Sequence, residues 1–197
     1  MSRFARNKAL LAWPLGVLLA HAPAYSGDAA PQEYLDQETA ATITVVGEPL
    51  VFAITRTDVA ANARDYATLA AAAVDRSGKV TYVVIAYFWS TVDPRARLEP
   101  LPSPDPLVLQ ADDRRIELHL RGHSAYDAGI GVPVHAPPGP PVTPNVYGTD
   151  LATVRFIGEA RQLALIIDTD ASSLSYGLWE DRRGALRRFV RHMSGAG

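Results

Sequence analysis

The pattern of apolar and polar positions changes character along the chain. Ala41–Val46 (ATITVV) and Leu50–Thr55 (LVFAIT) are short β-branched runs separated by Gly47-Glu48-Pro49, which predicts two strands around a turn. Lys79–Thr91 (KVTYVVIAYFWST) is the strongest β segment. Asp75-Arg76-Ser77-Gly78 before it is turn chemistry, with Gly78 free to take a positive φ. Tyr66–Val74 (YATLAAAAV) has the alanine content of a helix, but it leads straight into that turn. We read it as the partner strand of a hairpin spanning residues 66–91, with its small side chains lying where another element packs close.

A second hairpin is predicted over residues 107–121. Leu107–Gln110 runs into Asp112-Asp113, and Arg114–Arg121 returns with strict alternation. Ile116, Leu118 and Leu120 point to the core, while Glu117, His119 and Arg121 point to water. Beyond residue 150 a helical period appears. Asp150 is placed to cap a helix carrying Leu151, Val154 and Ile157. Leu163–Ile167 is a buried strand and Ser175–Trp179 another. Asp181 is expected to cap a last helix, Arg182–Met193, with Leu186, Phe189, Val190 and Met193 on one stripe. That stripe needs a surface, and the strand Lys79–Thr91 offers the largest one.

These elements give an α+β fold, mainly antiparallel β (sandwich-like or a curved sheet), with one or two helices near the C-terminus. Two proline-rich stretches, Pro100–Pro106 and Val132–Pro144, are expected as extended loops.

The N-terminus reads differently from the rest. Arg3, Arg6 and Lys8 precede a twelve-residue apolar run, Ala9–Ala20, and small residues follow at Ala22, Ala24 and Ser26. This is the layout of a secretory signal peptide cut after Ala24 or Ser26. The run extends about 18 Å as a helix, short of a bilayer core of about 30 Å. The expectation is a signal peptide over 1–24 and one domain over 25–197, periplasmic or secreted, with no transmembrane segment in the mature chain. Residues 25–197 carry 16 basic and 21 acidic residues, a balance with no general pull toward nucleic acid. The chain has no cysteine, which excludes disulfides, thiol catalysis and a cysteine-borne lipid anchor.

Candidate chemistry is sparse. No cofactor motif is present. His119 and His123 have H-x3-H spacing, which suits a metal on a helix, where residues four apart share a face. On a strand the same spacing spans about 13 Å. A sharp turn at Gly122 would be needed to gather His119, His123, Asp127 and His135 into a site. No G-x-S-x-G serine motif occurs, and the carboxylate pairs Asp112–Asp113 and Asp168–Asp170 suit turns and loops. Arg183, Arg187, Arg188 and Arg191 line one face of the last helix, where an anionic ligand or another envelope protein could dock. The reading is a non-catalytic exported binding or envelope-associated module. The alternative is a metal-binding protein or hydrolytic enzyme using the His119, His123 and His135 region.

Overall fold

A computed structural model describes residues 29–93, 100–168 and 172–195. The expected signal peptide lies outside the described residues. Antiparallel sheet dominates, as expected. β1 (Gln32–Asp36) pairs with β2 (Ala41–Val45), and β3 (Leu50–Thr55) follows. β4 (Arg64–Arg76) and β5 (Lys79–Ser90) form a long hairpin with Arg76 opposite Lys79. Its turn residues Ser77 and Gly78 have φ of 53° and 83°, and Asp75 Oδ1 accepts the Gly78 N–H at 2.8 Å. The hairpin signal therefore overrides alanine propensity. β4 is long enough for two partners on one edge: its first half pairs with β3 and its second half with β2.

The second hairpin also forms. β6 (Leu107–Ala111) pairs with β7 (Arg114–Leu118) across Asp112, whose φ is 51°. β8 (Leu120–Gly122) continues the same run of chain after a break at His119. It pairs with β9 (Pro144–Thr149), which in turn pairs with β5. α1 (Leu151–Glu159), β10 (Leu163–Asp168), β11 (Ser173–Glu180) and α2 (Arg183–Met193) complete the chain. The strand order is β7-β6-β10-β11-β3-β4-β5-β9-β8. β7 and β8 are adjacent in sequence and stand at the two ends of that order, so the sheet nearly closes on itself into a barrel-like form.

The register assigns the helices to one face. Glu33, Thr44, Ala73, Tyr82 and Thr149 follow one another across β1, β2, β4, β5 and β9. On that face His192 of α2 lies 3.3 Å from Glu33. Arg114, which shares the face through Ala111 and Leu163, stacks 4.2 Å from the Phe156 ring centroid of α1. The inner face thus holds both helices toward the turn end of β4 and β5. Phe52, Leu109, Leu165, Tyr147 and Tyr176 are buried on it. The outer face carries Ala70, Ala72, Val83 and Ile85. It is buried as well, because the segment after β8 crosses it. Gly131 donates its N–H to Asp36, the ring Nε2 of His135 lies 2.6 Å from the Val46 carbonyl oxygen, and Ile130 and Val134 are buried. Small alanines on both faces of β4 let two layers approach.

Asp150 caps α1 by accepting the Thr153 N–H at 2.7 Å. The cap expected for α2 differs. The N-cap is Arg182, with no side-chain cap bond, and the helix starts at Arg183. Asp181 still accepts the Arg183 N–H at 3.1 Å, but it also clasps the Arg183 guanidinium, which pulls it one position back from the cap. Phe189 is fully buried, as the apolar stripe predicts. Two strands escaped the sequence reading, β1 and β9. Pro144, assigned to the second proline-rich loop, is the first residue of β9, a position where the missing N–H is tolerated.

Candidate functional site

The end of the sheet remote from the helices is open. β5 and β9 pair only as far as Tyr87 opposite Pro144, and β5 then continues to Ser90 with β4 alone as its partner. Both proline-rich stretches converge on this mouth. Together they wall a cleft of about 1070 Å³. Pro100, Leu101 and Pro102 line one side and Pro138, Pro140, Pro141 and Val142 another. Phe88, Trp89 and Val92 come from the end of β5 and the residues after it. Proline recurs because each wall must run extended without a strand partner, and a fixed φ with no N–H suits that requirement.

Three polar side chains meet in the cleft. Asn145, on β9, is 4% exposed. Its Oδ1 accepts from Ser103 Oγ at 2.8 Å and lies 2.8 Å from His123 Nδ1. A carbonyl oxygen only accepts, so Nδ1 carries the proton. In the neutral ring Nε2 is then an acceptor. Among the described residues Nε2 has no hydrogen-bond partner. Ser103 is held from below as well, since buried Tyr147 donates its hydroxyl to the Pro104 carbonyl at 2.8 Å. Burial pushes the Tyr147 phenol up, so it stays protonated as a donor. Asp105 Oδ1 accepts the Leu120 N–H at 3.1 Å and pins the other end of that loop.

The four residues considered for metal binding take separate places. His119 is largely exposed, with Nδ1 3.8 Å from Asp105. His123 faces the cleft. Asp127 accepts the Ser124 N–H at 2.9 Å and closes a capping box on the short 3-10 turn Ala125–Ala128. His135 binds Val46 on the outer face. Among the described residues no group of three His, Cys, Asp or Glu could hold a metal ion. The chain does turn at Gly122, where a Cβ would collide with the Asp127 carboxylate, but the turn serves that capping box and draws no second histidine toward His123.

The arginine face of α2 is largely engaged. Arg183 donates to the carbonyl oxygens of Ala160 and Arg161, and Arg187 donates to Gly158 at 2.8 Å. These are orphan carbonyls at the C-terminal end of α1, where a cation also suits the helix dipole. Arg188 is half-buried and Arg191 is exposed.

The sequence reading missed Asn145 and Ser103. Asn145 follows a run of prolines, and its part in β9 depends on pairing with β5, which no local pattern announces. An outer-face aromatic group lies near the same end: Tyr66 and Trp89 stack at 4.2 Å, and Arg64 covers Trp179 at 4.8 Å. Each of these rings has a partner within the fold. Among the described residues no helix is long and apolar enough to cross a membrane. The chain matches no protein-family model, and no curated protein or solved structure matches it.

Proposed function

We propose that this protein is a non-catalytic binding module, exported by its N-terminal signal sequence, that takes a small neutral molecule into the proline-walled cleft. The observation that carries the reading is the cleft itself. It is of ligand-binding size, sits at the mouth of a barrel-like sheet and combines apolar walls with a few convergent polar groups. Rigid proline walls lower the ordering cost of binding. Among the described residues lining it, the one lysine, arginine or carboxylate side chain is Asp93.

The test is an NMR titration of the full chain with a panel of neutral aromatic and alicyclic fragments. Shifts concentrated at Trp89, Leu101 and Val142, and abolished by Val142→Trp, are expected. No shift with any fragment, or shifts only elsewhere, would overturn the reading.

The oriented His123 favours one alternative, a hydrolase in which Nε2 takes a proton from water. The serines nearest to hand are otherwise engaged, Ser103 with Asn145 and Ser90 with the Arg64 carbonyl. Turnover of 4-nitrophenyl acetate that disappears in His123→Ala would establish this alternative in place of the binding module.

A further inference from the structure

We infer that the cleft selects ligands that donate a hydrogen bond, and that His123 Nε2 is the acceptor that reads the donor. The inference rests on the binding reading above.

It follows from three linked constraints. Asn145 is almost wholly buried, so its amide is held in one place. Both acceptor directions of its Oδ1 are taken, one by the Ser103 hydroxyl and one by the His123 N–H. With the amide oxygen toward the ring the proton sits on Nδ1, and Nε2 has no hydrogen-bond partner among the described residues. In an imidazole the two nitrogens point in diverging directions. With Nδ1 turned to the Asn145 floor, Nε2 is presented away from it.

His123 is exposed at the rim of the cleft, and a ligand body seated against the apolar walls displaces the water from Nε2, so the acceptor then discriminates. A ligand hydroxyl or N–H satisfies it, whereas a ligand offering only an acceptor or a methyl group leaves it unpaired. The ligand class is therefore a neutral, ring-containing alcohol, phenol or amide. Its apolar body would lie against Leu101, Val142 and the prolines.

Two probes of matched shape test this: 2-naphthol, which donates, and 2-methoxynaphthalene, which does not. Their dissociation constants are measured by calorimetry on the full chain at neutral pH. The expected preference for 2-naphthol is about tenfold, the worth of one hydrogen bond. In His123→Phe the ratio should fall to about one through loss of 2-naphthol affinity alone.

A second measurement needs no variant. The ¹⁵N resonances of the His123 ring in the unliganded protein should report the Nδ1–H tautomer, and 2-naphthol should shift Nε2 while 2-methoxynaphthalene does not. Equal affinity for the two probes, or a preference that survives His123→Phe, overturns the inference and leaves the cleft as a binding site. Failure of both probes to bind overturns the binding reading and the inference together.

Discussion

A single hydrogen in place of a side chain decides the path of the chain at Gly122. A Cβ there would overlap the Asp127 carboxylate, which accepts the Ser124 N–H and closes the capping box of the 3-10 turn. Gly122→Ala should cost about 1–3 kcal/mol in a denaturant melt, in the range of overpacked sites. Asp36 makes a second prediction at this scale. Its carboxylate accepts N–H groups from Gly131 and Glu38, and the Gly131 bond above all holds its pKa below the ordinary carboxylate value. A depressed native pKa adds stability above the unfolded value, and that stability drains away as pH falls through the native one. The protein should therefore lose stability below about pH 4, the ordinary carboxylate range. Asp36→Asn should be less stable at pH 7 and show a shallower acid limb in melts across pH 2–7. Asp168 and Asp181 are depressed in the same sense, by Ser173 with Arg115 and by Arg183, so some acid slope will remain.

Among the elements, α2 shows which readings a sequence supports. Its apolar stripe is legible because a 3.6-residue period needs no knowledge of partners, and Phe189 is buried as the stripe requires. Its basic face is not legible in the same way. Arg183 looks like a solvated cation in sequence, but its side chain is 17% exposed and caps the end of α1, a carbonyl cluster contributed by residues more than twenty positions away. Phe189→Ala should cost about 3–5 kcal/mol, as buried phenylalanine truncations do. Arg183→Ala should cost about 1.5–3 kcal/mol, the range for hydrogen bonds to charged groups. Exposed Arg191→Ala should stay within about 0.5 kcal/mol. Equilibrium denaturation of the three variants gives the order, and an Arg191 loss as large as that of Arg183 would contradict the capping assignment. The hairpins were readable from turn residues and alternation. β9 was not, because Pro144 and Gly148 at its ends mask a strand that only β5 and β8 make.

At the scale of the molecule, burial on both faces separates β4 and β5 from the periphery. Amides of residues 67–74 and 83–88 should exchange slowest with deuterium, and those of β1 and residues 59–62 fastest, in a native-state exchange series. The strand order carries a further consequence, for biosynthesis. β11 lies between β10 and β3, joining residues 163–168 to residues 50–55, and it is the last of the described strands. Until it emerges from the ribosome, β3 lacks one neighbour, and β6 with β10 has nothing to attach to on that side. The sheet therefore cannot be completed before residue 180 has left the ribosome. The proposed export route needs an extended polypeptide at the translocation pore, and a sheet that waits for β11 to join β10 to β3 keeps the preceding strands from closing early.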